Sequence, residues 1–120
     1  MASKKLSVLL KKIHCYQNDE DRFDDIFIIH NKKQIWPTNK RHEDVGIGTH
    51  EVMVKIDGLT PMKEVVLEIW DHDTFSPNDL YGKATFVPDF PAGVSYTVDM
   101  KPNSDKEVAR YSIDWEVVEG

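Results

Sequence analysis

Eight carboxylates fall in two short stretches of this 120-residue chain. Residues 18–25 read Asn-Asp-Glu-Asp-Arg-Phe-Asp-Asp, and residues 71–79 read Asp-His-Asp-Thr-Phe-Ser-Pro-Asn-Asp. Like charges this dense destabilise a fold unless a cation neutralises them. Hard oxygen donors without cysteine or clustered histidine select Ca²⁺ or Mg²⁺ over zinc or copper. Ca²⁺ takes roughly six to eight oxygens in a flexible shell, which two polar loops can supply from side chains and carbonyls. Mg²⁺ wants a tighter octahedron and usually a phosphate substrate, for which the chain offers no Gly-rich cradle.

Other chemistries find little support. The single cysteine, Cys15, excludes an internal disulfide and a multi-cysteine zinc site. The histidines at 14, 30, 42, 50 and 72 are scattered, none in a metalloprotease-type pair, and His72 is expected to offer its backbone carbonyl. Cys15 beside His14 is no dyad, because neighbours in a strand face opposite ways. No nucleophile, base and orienting third group assemble, so the chain does not read as an enzyme. An EF-hand fails too: Phe75 follows Asp71-x-Asp73 where an oxygen ligand is needed, Ser76 replaces the turn glycine, and Gly82 stands at the twelfth position.

The elements that must position these acids read as strands. Leu6, Val8 and Leu10 alternate within Lys5–Tyr16, and Ile26–Ile29 form a short apolar run within Asp25–His30. An Asn31-Lys32-Lys33 turn leads to Gln34–Pro37; Glu51–Ile56, Val65–Trp70, Leu80–Val87, Ser95–Met100 and Val108–Val118 follow. Trp36, Trp70 and Trp115 lie in these segments and read as core. Eight short strands and no helical period predict an all-β, eight-stranded antiparallel Greek-key β-sandwich, a single domain over residues 1–120. Connections following the first, third and fifth strands (Gln17–Asp24, Thr38–Gly46 and Asp71–Asp79) emerge at one end by parity, which brings both acidic stretches together.

Here the residues resemble C2-type Ca²⁺/lipid-binding domains. That family's third loop runs D-x-D-x-x-S-x-x-D, with a glycine shortly after; Asp71, Asp73, Ser76, Asp79 and Gly82 match. Its first loop places two aspartates six residues apart, as Asp19 and Asp25 are. Phe75 occupies the loop-tip position that often carries a membrane-dipping residue. Asp24-Asp25-Ile26 stands where the family has Asp-Pro-Tyr, so either aspartate could be the ligand. The strand order suggests the permuted (type II) topology, with Thr38–Gly46 as the second loop. The resemblance implies two or three Ca²⁺ ions held by Asp19, Asp25, Asp71, Asp73 and Asp79, with Ser76, Asp21 and Asp24 as secondary ligands.

Composition narrows the partner. The net charge is −6, which disfavours nucleic acid. The eight loop acids, offset by Arg22 alone, account for that excess and leave the rest of the chain near neutral. Lys40 and Arg41 form a cationic rim in the second loop, where lipid phosphates could bind, and Phe23 and Phe75 could enter a membrane interface. The expected function is Ca²⁺-dependent docking to anionic phospholipid membranes. The alternative is a protein–protein interaction or adaptor module in which Ca²⁺ is structural or absent. No apolar run approaches the ~20 residues of a membrane-spanning helix, and MASKKLSVLLKK does not read as a signal peptide. The expected location is the cytoplasm or the periphery of a membrane, as a monomer.

Overall fold

A computed structural model describes residues 4–20 and 22–119, and Asp21 lies outside the described residues. The strands are β1 (Leu6–Gln17), β2 (Asp24–His30), β3 (Lys33–Trp36), β4 (Glu43–Val45), β5 (Gly48–Leu59), β6 (Val65–Asp71), β7 (Asp79–Phe86), β8 (Ser95–Asp99), β9 (Lys101–Pro102) and β10 (Arg110–Val118). One sheet runs β5-β1-β10-β8; the other runs β3-β2-β6-β7-β9, with β4 also on β2. Every pairing is antiparallel. The fold is the expected all-β sandwich. The strands number ten rather than eight because β4 and β9, of three and two residues, are too short to show a period.

Period-two alternation builds the core. In β1 the inward residues shift from Val8 and Leu10 to Ile13 and Cys15, because a bulge between Leu10 and Lys12 inserts one residue. Tyr111, Ile113, Trp115 and Val117 of β10 pair beside them on the same inward face of the sheet. His14 points the opposite way from Cys15, onto the outer face of that sheet, where its ring nitrogens meet Thr49 Oγ1 and Asp114 Oδ2, each at 2.8 Å. Trp36 and Trp115 are buried as expected. Trp70 is not: it sits on the outward phase of β6 and stacks on Phe27, with centroids 6.2 Å apart.

The β2–β3 hairpin turns through Asn31 and Lys32, both at positive φ (49° and 66°), a two-residue primed turn whose twist suits the flanking strands. Gly82 is required for a different reason. A Cβ built there would lie 2.2 Å from the Lys101 carbonyl oxygen, so the close approach of β9 to β7 tolerates no side chain. Gly82→Ala is expected to destabilise the chain by about 2–3 kcal/mol, read as a lower urea midpoint with an unchanged slope.

The same alternation decides where the acids go. Ile26 and Ile28 face inward on β2, and Leu67 and Ile69 do so on β6. One step further along each phase stand Asp24 and Asp71, so two carboxylates close the end of an apolar core. The pairings Asp25↔Asp44, Ile26↔Asp71, Asp71↔Asp79 and Gln17↔Arg110 bring four connections to this end. Three are the expected ones; the fourth, between β9 and β10, carries Glu107.

Candidate functional site

The floor of the tip is a buried polar layer. Asp24 has no exposed surface. Its carboxylate accepts hydrogen bonds from the Asn18 amide (3.0 Å), the backbone N–H groups of Asp19 (3.1 Å) and Glu20 (3.0 Å), and the Tyr111 hydroxyl. These contacts fix the start of the first loop onto β2, as a side-chain oxygen does when it caps orphan amides. Asn18 also donates to the Val45 carbonyl (2.8 Å), which ties in β4. The Tyr81 ring stacks on Tyr111, with centroids 6.2 Å apart, and is fully buried; its hydroxyl lies beside Asp24 but finds no hydrogen bond of good geometry among the described residues. Burial first, then the charges of Asp24 and Asp71, push that phenol upward.

Asp71 is 5% exposed and accepts one hydrogen bond, from the Asp25 N–H at 2.9 Å. Burial raises its pKa to about 7, and the nearby Asp24, Glu20 and Asp25 charges add to the rise over the single hydrogen bond that opposes it. A carboxyl that titrates near 7 when folded and at 3.8 when unfolded gives the folded chain an extra proton between those values. Stability of the metal-free chain therefore falls as pH rises from about 4 to about 7, and the full penalty stands above 7. In EDTA, Asp71→Asn keeps an acceptor for the Asp25 N–H but has nothing to titrate. Its stability relative to wild type is expected to grow between pH 5 and pH 8; an equal difference at both would contradict this electrostatic account.

Above this layer the acids divide into two groups, each with its donor atoms within 4.8 Å of one another. Asp19 and Asp79 meet Glu107; Asp25 meets His42 and Asp44. Burial raises the pKa of Asp19, with Asp24 and Asp79 adding to it; burial raises Glu107 likewise, with Asp79 and Asp19 adding to it. Asp25 is raised by burial and then by the adjoining Asp44 carboxyl, against the lowering influence of His42. Glu20 is raised by burial and then by Asp19, Asp24, Asp73 and Asp25, which places it amid the other acids.

The remaining expected residues lie as follows. Asp73 is exposed, and its carboxylate is held below the usual range by the Ser76 hydroxyl and then by the Phe75 N–H, which donates at 3.1 Å. Asp73 joins neither group of three. Glu20, Asp25, Asp44, Asp71, His72, Asp73, Phe23 and Phe75 border an open depression of about 530 Å³. Phe75 is 98% exposed and Phe23 48%. Lys40 donates to Glu43 at 2.6 Å, so its charge is half spent within the loop, while Arg41 is exposed without an ion pair among the described residues. Glu107, Asp44, His42 and Glu20 complete the acidic end. Glu20 already stands in the first acidic stretch, and parity of the last connection could have pointed to Glu107, but no local pattern marks Asp44 or His42.

The donor chemistry suits a hard cation. The acids supply many oxygens, several of their carboxyls are raised by mutual repulsion, and few local cations offset them. A Ca²⁺ ion there would exchange repulsion for coordination, above a buried layer in which the Tyr81 hydroxyl finds no well-aligned partner among the described residues.

No protein-family model matches the chain, and no curated protein sequence does. Among solved structures, one described as "Structure of a C2 domain" aligns with a TM-score of 0.55 over 96% of this chain and 98% of its own, at 13% identity. At that identity the likeness establishes the fold, a C2-type β-sandwich.

Proposed function

We propose that this C2-like module binds Ca²⁺ at its acidic tip and then docks to anionic phospholipid membranes, as a binding domain rather than an enzyme. Asp19, Asp25, Asp71, Asp73 and Asp79 would hold the metal, with Ser76 and Asp21 as secondary ligands. Asp25 is preferred to Asp24, whose oxygens are taken up by Asn18, Tyr111 and loop amides. Bound Ca²⁺ would reverse the local potential and attract lipid phosphates. Asp71 and Asp24 position the loops from below, and the depression keeps Asp25 and Asp73 accessible from above.

The observation that carries the membrane half of the reading is Phe75. A phenyl group 98% exposed, at the rim of an acidic depression, has no packing role in the isolated fold. An aromatic at a loop tip is favourable in a membrane interface. The test is co-sedimentation with phosphatidylserine-containing vesicles in Ca²⁺ or EDTA. Binding is expected only with Ca²⁺, and Phe75→Ala should weaken it at least tenfold, since burying one phenyl group is worth about 1.5–3 kcal/mol. Protein that remains in the supernatant with Ca²⁺ would instead favour a protein partner.

A further inference from the structure

The histidines scattered in the sequence do not stay scattered in the fold. His42, on the second loop, and His72, on the third, stack with centroids 4.9 Å apart and an interplanar angle of 15°. The His72 N–H donates to the Asp25 carbonyl at 2.7 Å, which pins the third loop against β2 and the His42 side of the tip.

His42 is itself oddly placed. Its ring keeps part of its surface in solvent, but Nδ1 is closed off and makes no hydrogen bond among the described residues. Two carboxylate oxygens stand nearby, Asp25 Oδ1 at 3.6 Å and Asp44 Oδ1 at 3.8 Å. Both are too far for a hydrogen bond. The separation suits donors that share a cation: metal bonds of roughly 2.0–2.2 Å in tetrahedral geometry put such atoms about 3.4 Å apart. A modest inward movement of these partly exposed side chains closes the difference. Asp25 and Asp44 lie opposite each other on β2 and β4, so the strand register supplies two of the three donors on fixed backbone.

We propose that His42 Nδ1, Asp25 and Asp44 form a second metal site, selective for a borderline divalent cation of the Zn²⁺ type, beside the all-oxygen Ca²⁺ cluster. One imidazole nitrogen with two carboxylates is a donor set that Ca²⁺ has no preference for and that Zn²⁺ and Co²⁺ accept readily. Three protein donors leave a fourth position open to water or to an incoming anionic ligand. Stacking on His72 holds the His42 ring in its orientation, as an outer partner does for a ligating imidazole. The site stands apart from the Ca²⁺ reading, since His42 and Asp44 are outside that ligand set and only Asp25 is common to both.

The probe is Co²⁺, titrated into the full chain in Ca²⁺-free buffer and followed by visible absorption. A strong band that saturates at one equivalent and is displaced by Zn²⁺ is expected. His42→Gln should abolish the band, and Asp44→Asn, at an exposed position, should weaken Zn²⁺ binding roughly tenfold or more. His42→Gln, at a residue that does not border the acidic depression, should keep the Ca²⁺-induced rise in melting temperature. Asp73→Asn should lose that rise but keep the Co²⁺ band, so the two sites fail independently. No band in the wild type, or an unchanged band in His42→Gln, would overturn the proposal.

Discussion

Asp24→Ala is expected to lower the unfolding free energy by about 3–5 kcal/mol, seen as a large drop in the urea midpoint. The residue has no exposed surface and gathers four donors: the Asn18 amide, two loop amides and the Tyr111 hydroxyl. Removing the carboxylate takes away the acceptor of the buried Tyr111 O–H and opens a void under the first loop. Asp24→Asn, which keeps one acceptor oxygen, should recover part of the loss. A change below about 1 kcal/mol for the alanine variant would mean that these hydrogen bonds do not anchor the tip.

The second large effect is the response to metal. Ca²⁺ at about a thousandfold excess over its dissociation constant should stabilise the wild type by about 4 kcal/mol per site, by mass action. Asp71→Asn is expected to reverse the ranking. Without its buried charge the variant should be more stable than wild type in EDTA at pH 8, yet gain almost nothing from Ca²⁺. A structural role for Asp71 alone would move both conditions together, so differential scanning calorimetry with and without EDTA separates the two.

Much of the architecture was legible because it depends on period-two alternation and turn chemistry. Val52, Ile56, Leu67, Ile69, Ile113 and Trp115 alternate as half-buried strands must, and the eight longer strands follow. Parity alone gathered the first, second and third loops at one end. What was hidden depends on register and on contacts between distant segments. The bulge after Leu10 changes which face is inward. Trp70 is apolar yet one residue out of phase with the core, so its chemistry suggested burial that its position denies.

The site divides in the same way. Asp71 extends the inward phase of Val65–Ile69, and its burial follows from spacing. The choice between Asp24 and Asp25 required the structure, since adjacent residues in a strand face opposite sides and only tertiary contacts show which side is core. His42 and His72 are 30 positions apart, and their stacking exists only because β2 and its neighbours bring two loops together. Glu107 belongs to a connection whose own sequence carries no acidic cluster. Its proximity to Asp19 and Asp79 arises from the β1–β10 pairing.

The concentration of carboxylates at one end of the sandwich is the central observation, and Ca²⁺ coordination is its proposed reason. Isothermal titration calorimetry of the chain with Ca²⁺ in chelator-free buffer addresses it most directly, with Asp73→Asn beside the wild type. Wild type is expected to give saturable heat at two or three ions per chain and Asp73→Asn to give far less. No heat and no shift in melting temperature up to millimolar Ca²⁺ would contradict the account.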